Sequence, residues 1–413
     1  MLTVCKGFAR FMSTSSDRHR RLVRRMYDDE HILHMLHSSM VEDEDEEIHV
    51  HRGSVVGRSV INRDRESGYV RLMQDYFSDN PVYNDDIFRR RFRMTKAMFH
   101  NICQALEAAN PYFRQSCNAA NVPGFHTIQK VTAAIRMLAY GGPADSLDEY
   151  LRMGESTILE TVGHFTRTIV QLFGNEFLRK PNNHDIGGLL QVAQQRGFPG
   201  MLGSIDCMHW EWERCPTAWQ GSYRGHFKKP TLILEAIASH DLWIWHAFFG
   251  LPGSCNDINV LHRSPVFDSI ATGDVPPVTY EVNDTQYDMP YYLCDGIYPP
   301  WATLISGVPS AVSNKQRLFT MKQAEYRKDV ERCFGVLQGQ YAIIKGPARL
   351  WHPVDLKFIV DCVVILHNMS VQVERHLPSL DGVDYDAATR VHIPNTRDVP
   401  EIAQLIEKHK EIR

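Results

Sequence analysis

Four acids in the second half of the sequence stand inside or directly after short apolar runs. They are Asp206 in MLGSIDCMHWEW (201–212), Asp257 in GLPGSCNDINVL, Asp295 in MPYYLCDGIYPPW (289–301) and Glu331 in KDVERCFGVL. A buried or half-buried carboxylate is costly unless it is paired or bound to a metal. Several carboxylates converging on one edge of a sheet would repel each other, and a divalent cation relieves that repulsion. Hard oxygen donors select Mg²⁺ or Mn²⁺ over zinc. Taken one at a time, an Asp after a strand is more often a turn former. Spacing alone does not bring the four acids together. His209, close to the first acid, reads either as a group that orients a ligand or touches a phosphate, or as a satisfied structural histidine.

The elements that must carry these acids follow from the pattern of the chain. MLGSIDCMHWEWE, PTLILEAIAS and LWIWHAFFG are aromatic and aliphatic runs joined by turns such as SHD at 239–241, and they predict consecutive antiparallel strands. Residues 289–301 predict a fourth strand stopped by Asp295-Gly296. TMKQAEYRKDVERCFGVLQGQY returns to helical period with Tyr326, Val330, Phe334 and Leu337 as its stripe, which leaves Glu331 at the margin of the buried face. A strongly apolar helix, DLKFIVDCVVILHNMSVQVE, comes last. Strands followed by helices predict a mixed α/β domain over 197–375.

Residues 75–196 predict an all-helical domain. One helix is expected through DDIFRRRFRMTKAMFHNICQALEAANPYF, with Phe99, Ile102, Cys103 and Leu106 on its buried face and Pro111 at its end. TIQKVTAAIRMLAYGG gives another, stopped by Gly141-Gly142. In PADSLDEYLRMGESTILETVGHFTRTIVQLFG, Asp145 or Ser146 caps a short helix that ends near Met153-Gly154. Thr157 and Glu160 then form a capping box for a second helix with the stripe Ile158, Val162, Phe165, Ile169 and Phe173. Two helices across a tight turn describe a helix-turn-helix, with Thr161, His164, Arg167, Thr168 and Gln171 exposed for groove contact. A helical hairpin that packs on the next domain accounts for the same residues.

Composition bounds the rest. The 413 residues are 43% hydrophobic and 23% charged, the balance of a globular protein, and the net charge of −4 gives no global argument for nucleic acid. No apolar run is long enough to span a bilayer. The nine cysteines contain no C-x-x-C pair, which fits reduced intracellular thiols and speaks against a zinc site or a disulfide scaffold. Residues 1–74 read as a charged, disordered tail, with Arg18, Arg20, Arg21, Arg24 and Arg25 preceding EDEDEE at 42–47; residues 376–413 read as a C-terminal tail. The basic cluster suits nuclear import or phosphate binding. The N-terminus has no secretory apolar core, while its Arg- and Ser-rich composition leaves a transit peptide open. From Lys315 to Arg349, eight basic residues stand against three acids beside the helix of Glu331, a local patch able to neutralise phosphates.

The run MLGSIDCMHW…GLPGSCNDINVLHRSPVF…YYLCDGIYPPWATLI…RKDVERCFGVLQGQYAII resembles the nuclease domain of PIF/Harbinger-type DDE transposases and their transposase-derived relatives, most closely the plant branch. The resemblance covers about 75–375 and rests on four motifs in order. It implies a ribonuclease-H-like fold whose catalytic acids are Asp206 on the first strand, Asp295 on the fourth strand and Glu331 on a following helix. Asp257 matches a further metal-associated acid. Many members carry Gly-Thr after the first acid where this chain has Cys207-Met208; neither is a metal-site acid. The implied chemistry is two-metal phosphodiester cleavage and strand transfer with Mg²⁺ or Mn²⁺ on DNA, with Asp206 bridging. A Myb-like DNA-binding partner, a nuclear location and a homo-oligomer belong to the same expectation. The competing expectation is a domesticated, catalytically silent relative that binds DNA or chromatin. A small-molecule phosphohydrolase lacks a recognisable general-base motif here.

Overall fold

The computed structural model describes residues 61–267 and 278–375. The N-terminal basic cluster, the acidic run and the C-terminal tail lie outside the described residues. The chain divides into a first unit, Met1–Asn62, almost all of it undescribed, and a second that begins at Arg63.

Helices fill the first part of the second unit. α1 (Arg65–Leu72) continues through a π turn, Met73–Phe77. The single helix expected through residue 109 is two helices, α2 (Asp85–Phe92) and α3 (Lys96–Ala109). Arg93 turns into the left-handed region at φ 61°, and the Thr95 side chain then accepts the Met98 N–H to start α3. The break lets Phe88 and Phe92 stack on each other while both meet Phe99 edge to face, so one aromatic cluster closes the α2–α3 corner. α4 (Thr127–Tyr140) stops at Gly141, where φ is 62° and an added Cβ would lie 2.9 Å from the backbone of Ala342 and Ile343. α5 (Asp148–Leu151), α6 (Glu155–Phe177) and α7 (Asn183–Gln195) complete this layer.

The expected T-x-x-E box does not start α6. The helix begins at Glu155, two residues ahead of Thr157, with Gly154 as its cap and no side-chain capping bond. The expected buried stripe is present: Ile158, Val162, Phe165 and Ile169 are buried and Phe173 packs against them.

The sheet is mixed, as expected. β1 (Met201–Glu211), β2 (Thr231–Ala238) and β3 (Ile244–Pro252) run antiparallel in sequence. After α8 (Gln220–Tyr223) in the β1–β2 connection and α9 (Asp257–Leu261) beyond β3, a small hairpin pairs β4 (Tyr280–Val282) with β5 (Thr285–Tyr287). β6 (Tyr291–Leu293) then joins β1 in parallel, and β7 (Leu304–Ile305) joins β6, giving the order β3-β2-β1-β6-β7. The expected fourth strand is therefore β6, shorter than 289–301 because Pro290 and Pro299-Pro300 bracket it. Two long helices follow, α10 (Asn314–Gln340) and α11 (Pro353–Arg375). α10 lies along β1, where Ser204 Oγ donates to Tyr326 O at 3.0 Å. α11 packs between α6 and β3. One hydrophobic core runs without interruption from Leu72 in α1 through β2 to Val371 in α11, joining helical layer and sheet.

A buried amide fastens that junction. Asn368 in α11 donates to Phe177 O and to Ile244 O, both at 2.8 Å, and accepts the Ile244 N–H at 2.9 Å. Asn368→Ala strands three backbone groups without water. We expect a loss of about 3 kcal/mol in unfolding free energy, read by urea denaturation, against little loss for an exposed site such as Gln171→Ala.

Candidate functional site

β1 changes character at Asp206. Met201 through Ile205 are buried, and Asp206 through His209 are half-buried, so the first acid stands where the strand leaves the core. Its neighbours are set by register. Ser204 pairs with Leu293 in parallel β6, and carrying that register two residues beyond the strand puts Asp295 level with Asp206. Asp295 accepts the Ile297 N–H at 3.0 Å, an Asx turn that closes the strand end. Across α10, Glu331 and Arg327 face Asp206. The Arg327 guanidinium lies 2.8 Å from the Glu331 carboxylate and 3.8 Å from Asp206. Asp257 opens α9, and the Cys207 thiol lies 3.7 Å from Tyr298 Oη.

Charge links all four positions. Burial pushes the Asp206 carboxyl up to about 6; the Cys207 N–H and Arg327 oppose the rise, and Glu331 and Asp257 add to it. Asp257 is also raised, first by burial and then by Asp295, with Cys207 opposing and Glu235 adding. Asp206 thus feels Glu331 and Asp257, and Asp257 feels Asp295. Acids from β1, the end of β6, α9 and α10 share one electrostatic field.

Two members of this constellation were not singled out in the sequence. Glu235 sits on β2 opposite Cys207, wholly buried, with one oxygen 3.2 Å from His246 Nε2 and the other without a partner. Its signal was available: a lone acid inside the apolar run LILEAIA, the same pattern that marked Asp206. Arg327 is the other, a cation placed between two of the acids by helical i,i+4 spacing.

The donor set is all carboxylate, which suits a hard divalent cation such as Mg²⁺ or Mn²⁺. Among the described residues, however, no group of three or more His, Cys, Asp or Glu side chains stands close enough to hold a metal ion. In this structure the Arg327 guanidinium supplies the positive charge between Asp206 and Glu331.

The remaining sequence candidates divide. His209 bonds Thr231 Oγ1 through Nδ1 at 3.0 Å and is held neutral by burial, which makes it a satisfied structural histidine. In the Lys315–Arg349 patch, Lys322, Arg327, Arg332 and Arg349 are engaged in ion pairs, whereas Lys315, Arg317, Lys328 and Lys345 are exposed and make no ion pair among the described residues. Half of the patch remains available to phosphates.

The groove-contacting face expected of α6 is occupied by packing. Thr161 and Thr168 are buried, His164 stacks on Tyr112 at 4.0 Å, and Arg167 pairs with Asp355 of α11 at 2.7 Å. Only Gln171 of that set is exposed. The element before it is a four-residue helix, α5, following a 3₁₀ turn. α6 packs against α11, α4 and α3.

Residues 175–378 match the family model described as plant transposon protein, which supports a plant transposase-related family. Residues 68–107 match a domain of unknown function. No curated protein and no solved structure matches the chain.

Proposed function

We propose, with the plant-transposon match as premise, that this chain is a ribonuclease-H-like nuclease of the PIF/Harbinger transposase type. It would cut DNA phosphodiester bonds through Asp206, Asp295 and Glu331, with Asp257 as a further metal-associated acid. The observation that carries this reading is the placement of Asp206 on β1 against the Arg327–Glu331 pair of α10, with Asp295 two residues past the strand that pairs with β1. The sheet order supports the fold, since three antiparallel strands are followed by two added in parallel on the side of the first. Bound Mg²⁺ or Mn²⁺ would supply an activated water or 3′-hydroxyl and charge stabilisation at the leaving oxygen.

The chain's own residues then have separate tasks. Asp206, half-buried on β1, would hold the cation together with Asp295 and Glu331. Asp257 adds charge from α9. Lys315, Arg317 and Lys328, exposed on α10, draw the phosphate backbone toward the acids. Nuclear location, a Myb-like partner and self-association complete the proposal. The second reading, a silent DNA- or chromatin-binding relative, is favoured by one observation: Arg327 already fills the place of a cation.

Incubation of the full chain with supercoiled plasmid separates the two. Nicking that requires Mg²⁺ or Mn²⁺, stops in EDTA and is lost in both Asp295→Asn and Glu331→Gln is the expected result. A wild-type protein that binds DNA, does not nick it and gains no thermal stability from either ion would establish the silent binder instead.

A further inference from the structure

The loop between β1 and β2 presents an aromatic ring to solvent. Phe227 is 58% exposed at the tip of GHFKKP, one of the largest apolar groups left uncovered among the described residues. The loop around it is firmly built. Arg224 and Pro230 form a bridge that closes its base, and Lys228 holds a left-handed backbone at φ 59° that throws its side chain outward. Gly225 packs directly on the Gly253 turn: an added Cβ would lie 1.9 Å from Gly253 O. Gly253 in turn donates its N–H to Thr231 O at 2.8 Å. The Gly253 turn leads within four residues to Asp257, so the loop and this acid share one support.

The chemistry of the tip selects a ligand. The Phe227 ring rests on His209 at 4.8 Å, which leaves its other face to solvent, and His226 flanks it. Segment 211–229 carries four basic residues, Arg214, Arg224, Lys228 and Lys229; Lys229 is paired with Glu211 at 2.8 Å and Glu213 with Arg349, which leaves Arg214, Arg224 and Lys228 without an acidic partner among the described residues. An apolar partner would leave that charge uncompensated. A nucleic-acid strand satisfies both parts, a phosphate on Lys228 and a base on the ring.

We infer that the 224–230 loop is a stacking platform for an unpaired base of the DNA strand whose phosphate lies at the acids, with Phe227 as the platform and Lys228 as a phosphate contact. This inference rests on the nuclease reading above and adds to it the form of the substrate: a strand opened or frayed at the cleavage point. Phe227 positions the strand and takes no part in bond breaking.

The test uses the full chain, a labelled single-stranded oligonucleotide and a closed duplex of equal length, with binding followed by anisotropy over a salt series. Phe227→Ala should weaken single-strand binding about tenfold and leave both the salt slope and closed-duplex binding unchanged. Lys228→Ala should reduce the salt slope by roughly 0.7 for single strands. Phe227→Trp should restore affinity, and the added indole emission should be quenched by the oligonucleotide. Equal loss on single strand and duplex, or wild-type affinity in Phe227→Ala alongside normal metal-dependent cleavage, would overturn the platform and leave the nuclease standing. A wild-type chain that binds neither DNA would overturn both.

Discussion

Asp206→Asn should abolish Mg²⁺-dependent cleavage, a fall of roughly 10³-fold or more, while making the metal-free protein more stable at neutral pH. The two effects have one cause. Asp206 is half-buried on β1 within reach of Glu331 and Asp257, and its carboxyl is pushed up to about 6 from an ordinary value of 3.8. The folded state therefore holds a proton that the unfolded chain releases between these two values. Native stability falls as pH rises through that window, and the full penalty is present above about 6. Asparagine keeps the shape, carries no charge and removes the penalty. In EDTA the variant should gain on the order of 1–3 kcal/mol at pH 7 and nothing at pH 3, where Asp206 is neutral in both states. Thermal melts at the two pH values measure this, and the stabilisation conferred by added Mg²⁺ should be lost in the same variant. An unchanged melting temperature at pH 7 would mean that Asp206 is not desolvated among acids. Undiminished nicking would remove it from the catalytic set.

Much of this site was legible because an acid inside an apolar run is expensive and so carries meaning. Asp206 showed that pattern inside β1, which runs on to Glu211, and Asp295 just past the end of β6; carrying the β1–β6 register forward puts the two level. Glu235 showed the pattern too, but its buried partner His246 lies on a neighbouring strand, so the pairing emerges only when β2 and β3 align. Arg327 was counted as one charge of a surface patch; its role depends on α10 turning it toward β1, which composition does not disclose. The α6 face misled for a different reason. Thr161 and Thr168 look like exposed polar residues, yet each hydroxyl donates to the carbonyl four residues back, at 2.6 and 2.7 Å. With their polarity satisfied inside the helix, their methyl groups pack as apolar surface, and a polar residue type no longer marks an exposed face. The α2–α3 break was written in Thr95, a good N-cap, but uninterrupted apolar spacing across it favoured one helix.

Arg327→Gln should tighten Mg²⁺ binding about tenfold while lowering the stability of the metal-free protein. A guanidinium 2.8 Å from Glu331 and 3.8 Å from Asp206 neutralises the repulsion between these acids. On the proposed nuclease reading a divalent cation would sit between the same acids, so Arg327 and the ion would compete. Attraction between unit charges at such separations is large in a half-buried setting, and the Asp206 and Arg327 side chains are only 18% and 22% exposed. Glu331 is 42% exposed, and solvent screening there limits the gain to about a factor of ten rather than a hundred. Glutamine keeps much of the length of the side chain and removes its charge, so the acids lose their counter-ion but not their packing. The melting temperature in EDTA should fall at pH 7, and the Mg²⁺ concentration that restores half of the lost stability should lie well below that needed to stabilise wild type. Cleavage reports something further: if the displaced guanidinium moves onto the DNA phosphate when metal enters, Arg327→Gln binds metal better and cuts more slowly. Identical Mg²⁺ titrations for variant and wild type would show that Arg327 and the ion do not share a place, and the competition between them would have to be abandoned.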